Sequence, residues 1–172
     1  KRGWSGINID IDYSSFESFN FLRPKDTNIK IAASNTKGET ELYFFHNRAA
    51  KNTLSKVNGT GAKEVKKIQT DTLNNLIEKS KYKKKKIDYL SIDVEGFEQN
   101  VLNGFNFQKY KPDLVVIELI QGGIHEFFYQ KIENIEASEV YKFMVSQDYK
   151  LVNWIHDDLI FVPCNIKKED LF

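Results

Sequence analysis

Short β-branched and apolar runs alternate along this chain with stretches whose apolar positions recur every three or four residues, the rhythm of an α/β sheet. Gly6–Asp10 (GINID) reads as a short strand ending in an acid. Ser14 or Ser15 is placed to cap a helix with Phe16, Phe19 and Leu22 on one side, and Pro24 stops it. Asn28–Ala33 predicts the next strand, and Glu39–Phe45 an extended segment whose apolar surface is Leu42, Phe44 and Phe45. His46–Lys63 carries no period, because Asn52, Asn58, Gly59 and Gly61 interrupt it. Glu64–Gln69 predicts a strand, after which Thr70 or Asp71 caps a helix through Leu73, Leu76 and Ile77.

The second half repeats the alternation. Ile87–Ile92 predicts a strand, and Glu95–Leu102 a helix that Asn103-Gly104 closes as a C-terminal cap. Beyond Pro112, Leu114–Leu119 is apolar enough to be buried on both faces. A helix over about Glu136–Ser146 follows. Tyr149–Trp154, a His156-Asp157-Asp158 turn and Leu159–Val162 then predict a terminal hairpin. There is no repeat or low-complexity tract, so the 172 residues predict one domain.

Composition narrows the class. Hydrophobic residues make up 41% and charged residues 28%, the mix of a globular protein. A net charge of +1 offers nothing to draw the chain to nucleic acid or anionic lipid. The basic run Lys81, Lys83, Lys84, Lys85 and Lys86 reads as a solvated loop before it reads as a phosphate patch. A single cysteine, Cys164, excludes an internal disulfide and a paired-cysteine metal site, and suits a reducing cytoplasm. No apolar stretch is long enough to span a bilayer. Asn58-Gly59-Thr60 fits a glycosylation sequon but is more simply an Asn-Gly turn.

Chemistry concentrates at strand ends. Ile87–Glu98 (IDYLSIDVEGFE) delivers Asp93 and Glu95 where the chain leaves a strand, the side on which open α/β sheets bind ligands. The blander account is that Asp93 caps the next helix and Glu95 sits in its first turn, favoured by the helix dipole. Asp10 ends its own strand and suits ribose hydroxyls, or is a turn aspartate like Asp12. Glu118 ends the third apolar strand at the same kind of edge. His125, in a loop with Gly122-Gly123, is placed to act as a general base or is simply exposed. His46 and His156 have no accompanying ligand pattern, and no zincin, EF-hand, Walker A, GxGxxG or serine-elbow motif appears.

The ordered blocks resemble one family. Gly3–Asp10 (GWSGINID), Arg23–Ile29 (RPKDTNI), Ala32–Ser34 before Gly38-Glu39, Thr72-Leu73 with Leu76, Ile87–Glu98, Val101–Gly104 and Pro112–Glu118 look like successive blocks of the FkbM-type methyltransferases. The resemblance implies a Rossmann-like class I methyltransferase sheet, mostly parallel, with a C-terminal antiparallel hairpin. It also implies S-adenosylmethionine as cofactor and a hydroxyl of a sugar, glycan or secondary metabolite as acceptor. On it, Asp10 holds the ribose, Ala33 and Ser34 flank the adenine, and Asp93, with Glu95 beside it, sits nearest the transferred methyl. Asp93 and His125 are the candidate bases, and no metal is assigned. The family's first strand and glycine-rich loop belong before Gly3, whereas the chain begins at Lys1. These residues alone are therefore expected to bind the cofactor poorly. The alternatives are a catalytically silent binding or assembly domain and a dinucleotide oxidoreductase, the latter without its glycine fingerprint. A homo-oligomer is compatible with everything above.

Overall fold

The computed structural model describes residues 3–45, 53–54, 60–119 and 131–167. It divides into two compact units, Lys1–Lys85 with Asn100–Phe105, and Lys86–Gln99 with Asn106–Phe172. Each is described by itself.

The first unit opens with a β–α–β passage. Strand β1 (Ile7–Asp10) runs parallel to β2 (Thr27–Lys30) through helix α1 (Tyr13–Leu22). The cap of α1 is Asp12, not Ser14 or Ser15. Its carboxylate accepts the N–H groups of both serines, at 2.8 and 3.1 Å. A carboxylate one residue upstream satisfies two orphan amides at once, which a hydroxyl inside the first turn cannot do. Phe16 and Phe19 are half-buried as their spacing predicts, but Leu22 is 69% exposed. The RPKDTNI block is a polar clamp. Arg23 pairs with Asp26 and donates to the Trp4 carbonyl at 3.1 Å, while Asn8 donates to Asn28 at 2.8 Å.

The expected strand Asn28–Ala33 is broken at Ile31. Its second piece, β3 (Ala32–Ala33), pairs in parallel with β5 (Glu64–Asp71) rather than with β1. β4 (Gly38–Phe44) lies antiparallel on the other edge of β5. Thr70 and Asp71 finish β5, so Thr72 caps α2 (Leu73–Lys79), accepting from the N–H of Asn75 at 3.2 Å. Leu73, Leu76 and Ile77 are buried as the helical period predicts.

The chain re-enters this unit at the end of α3 (Glu98–Asn103), where Val101, Leu102 and Phe105 are buried. Gly104 is not the left-handed cap expected of it, since its φ is not positive. It serves close approach instead. A Cβ there would overlap the Ser34 carbonyl oxygen and lie 3.0 Å from Cα of Asn35.

In the second unit β6 (Tyr89–Ile92) runs parallel to β7 (Leu114–Glu118), with the short helix α4 (Phe107–Tyr110) between them in sequence. β9 (Asp158–Pro163) lies antiparallel on β7, and β8 (Tyr149–Ile155) closes the expected hairpin at the edge. β7 is buried on one face only. Val115 and Ile117 are inaccessible while Leu114, Val116 and Glu118 are half-exposed. The predicted Glu136–Ser146 helix is two helices, α5 (Ile132–Ala137) and α6 (Glu139–Ser146). Ser138 divides them by capping α6 through the N–H of Tyr141 at 3.1 Å. Phe107, Ile135, Met144, Leu159 and Phe161 fill the core, and Tyr149 donates to the Pro112 carbonyl at 2.7 Å.

The architecture is mixed α/β. Three of the described strand pairings are parallel and three antiparallel. The lysine run at 81 and 83–86 is exposed as expected. Among the described residues no helix is long and apolar enough to cross a membrane.

Candidate functional site

The register of β6 on β7 builds the acidic edge. Ile92 pairs with Ile117, so the next residues, Asp93 just past β6 and Glu118 at the end of β7, lie side by side. The helix expected from Glu95 is delayed to Glu98, because Glu95 has φ +54° and Gly96 φ +90°. Two successive left-handed residues turn the chain sharply and cannot belong to a right-handed helix. This removes the reading in which Glu95 occupies a first helical turn. It also brings one oxygen each of Asp93, Glu95 and Glu118 within 4.8 Å of one another.

Asp93 is exposed, and Glu95 and Glu118 are half-buried. The Glu118 carboxyl is pushed up to about 8. Burial is the largest cause; the Asp93 charge, a hydrogen bond with Asp93, and the charges of Glu95 and Glu98 follow. Its Oε2 is buried with no hydrogen-bond partner among the described residues. Three oxygen donors at this spacing span a distance that a hard divalent cation also bridges. The closeness of the Asp93 and Glu118 carboxyls also suits a different occupant, a proton held between two carboxylates that cannot both ionise cheaply.

Sequence reasoning named Asp93 and Glu95 and set Glu118 at the edge, but did not give Glu118 a role. It missed Glu98 as well. Glu98 is 4% exposed, and its Oε1 accepts the N–H of Val94 at 3.1 Å and of Gly96 at 2.9 Å. Burial pushes its carboxyl up, with the amides opposing and Asp93 adding to the rise. The available signal was an acid just inside a helix, reaching back to the amides before it as in a capping box.

In the first unit Asp10 stands at the carboxyl end of β1, half-buried, and its Oδ1 accepts the Asp12 N–H at 2.7 Å. Ala33 and Ser34 stand at the end of β3 and are buried, 8% and 5% exposed. The Ser34 N–H donates to the Asp71 carbonyl at 3.0 Å and its hydroxyl to Asn35 Oδ1 at 3.3 Å. His156 is exposed in the hairpin turn at φ +54°. His125 and His46 lie outside the described residues, as do Asn58 and Gly59 of the sequon.

Residues 1–151 match the family described as the methyltransferase FkbM domain. The chain belongs to the FkbM methyltransferase family. Neither a curated protein nor a solved structure matches it significantly. Membership covers every element from β1 to the start of β8, including all four carboxylates of the acidic edge. It supports methyltransferase chemistry for this FkbM-family chain.

Proposed function

We propose that this FkbM-family chain transfers the methyl group of S-adenosylmethionine to a hydroxyl oxygen of a sugar, glycan or small metabolite. The observation that carries the reading is the Asp93–Glu118 pair at the carboxyl ends of adjacent parallel strands. S-adenosylmethionine supplies an electrophilic methyl group, so the protein's task is to orient the acceptor oxygen and take its proton. A carboxyl pushed up to about 8 is tuned to exchange a proton near neutrality. Asp93, exposed beside it, meets the hydroxyl, and Glu95 extends the acidic surface. His125 remains a second candidate base.

The chemistry of the donor set fits the nucleoside part of this cofactor. Asp10 hydrogen-bonds through one oxygen, and among the described residues its other oxygen has no protein donor, as a ribose diol requires. Ala33 and Ser34 border the adenine on this reading through the strand exit they shape, since both side chains are buried. The β1–α1–β2 passage and the parallel β6–β7 pair support a Rossmann-like arrangement. The family match runs through both units, which supports treating the 172 residues as one domain. The exposed Cys164 thiol supports a cytoplasmic setting.

Isothermal titration of the full-length protein tests the cofactor. S-adenosylmethionine should bind, Asp10→Ala should weaken it about tenfold or more, and nicotinamide dinucleotides should give no heat. Tight nicotinamide binding without S-adenosylmethionine binding would replace this reading with the oxidoreductase one.

A further inference from the structure

The turn that carries Asp93 and Glu95 is strained. Glu95 at φ +54° is a non-glycine residue in the left-handed region, and Gly96 follows at φ +90°. A side chain makes that conformation unfavourable, and such backbone persists only where its surroundings hold it. Here the hold is visible. The amides of Val94 and Gly96, on either side of Glu95, converge on one oxygen of Glu98. Amides converging in this way form a cradle for an anion, and the anion is the chain's own buried side chain. Glu98 cannot itself meet an acceptor, being 4% exposed and engaged by backbone.

We infer that Glu98 is the positioning residue of the acidic edge, its buried carboxylate fixing the Val94–Gly96 turn and so holding Asp93 and Glu95 against Glu118. The inference rests on the methyl-transfer reading for its catalytic consequence and on the hydrogen bonds alone for its structural one. A carboxylate is the side chain suited to this place, because it accepts several amides and donates none. Glutamine keeps one oxygen able to accept both amides. Aspartate is shorter by one carbon and cannot span the same distance.

The test uses the full-length protein, tritiated S-adenosylmethionine and a panel of p-nitrophenyl glycosides as hydroxyl acceptors, with amide hydrogen exchange measured in parallel. Glu98→Ala should lower kcat by about 30-fold or more, since a shift of about 1 Å at the reacting groups costs on the order of a hundredfold. Its KM for S-adenosylmethionine should stay within roughly threefold of wild type. Glu98→Gln should recover about a third of the activity or more, having kept the acceptor. The Val94 and Gly96 amides should exchange at least about tenfold faster in Glu98→Ala than in wild type or Glu98→Gln.

Unchanged kcat in Glu98→Ala overturns the inference, as does a folded Glu98→Gln that protects both amides yet is as inactive as Glu98→Ala. If Glu98→Ala does not fold, Glu98→Asp takes its place with the same expected outcomes. If wild type transfers no methyl group, the functional reading fails and exchange alone decides the structural claim. Faster exchange in the variant supports the anchor, and unchanged exchange removes it.

Discussion

Glu118→Gln should make this protein more stable at pH 8 than the wild type. Glu118 is pushed up to about 8 from an ordinary value of 4.5 by burial and by Asp93. The folded state therefore keeps a proton that the unfolded chain has released, and stability falls as pH rises through that window. Without solvent, the gap between the two values corresponds to about 5 kcal/mol, at roughly 1.4 kcal/mol per tenfold change in proton affinity. Asp93 is exposed, so water screens one side of the pair. We take less than half of that figure, about 2 kcal/mol, as the stability lost between pH 5 and pH 8. Glutamine carries no titrating proton, and its amide offers a donor to the neighbouring Asp93 carboxylate. Urea unfolding followed by circular dichroism at several pH values measures the difference at constant m. The wild type should weaken steadily toward pH 8 and then level off. Glu118→Gln should lose less than half as much, the remainder coming from Glu98, whose carboxyl is also raised. A variant that keeps the full slope, or a wild type that strengthens toward pH 8, would refute the shared-proton account.

Four other substitutions probe the frame. Gly104→Ala should cost about 3 kcal/mol in urea unfolding, the upper range for overpacking, because the added carbon meets the backbone of Ser34 and Asn35. Asp12→Ala should cost about 1 kcal/mol by the same assay, through loss of the α1 cap, whereas Ser14→Ala should be nearly neutral. Burial pushes the Asp71 carboxyl up, but hydrogen bonds from Lys79, Asn75 and Thr72 outweigh it and hold the group below 3.8. Its contribution is thus present above that value and lost as pH falls through the lower folded one. Asp71→Ala should cost about 2 kcal/mol at pH 7 and flatten acid unfolding below pH 3.8, measured by circular dichroism.

The sequence displayed the α/β rhythm because the apolar positions that define it are the ones the fold buries. Leu73, Leu76 and Ile77 on α2 and Val115 and Ile117 on β7 show this directly. Family membership was legible for a different reason, the order of several short blocks that are each weak alone. Boundaries were less legible where backbone geometry decided them. Nothing in VEG announces that Glu95 adopts a left-handed conformation and delays α3 to Glu98. The caps at Asp12 and Thr72 fell one to three residues from the expected ones, since several polar residues compete at each helix start and only geometry selects among them. Asp93 was recognisable from its place after an apolar strand. Glu118's raised carboxyl and Glu98's anchoring role depend on contacts between elements, which periodicity does not encode.

The central claim is that Asp93 and Glu118 serve methyl transfer to a hydroxyl. Its most direct test is tritium transfer from labelled S-adenosylmethionine to hydroxyl acceptors by the full-length protein, wild type against Asp93→Ala. The account predicts O-linked label with the wild type and a loss in kcat of about a hundredfold or more in the variant, in the range expected for a positioned acid–base group. Cofactor binding should be retained. Turnover left intact in Asp93→Ala would contradict the site, and cofactor binding without transfer to any acceptor would favour a catalytically silent domain.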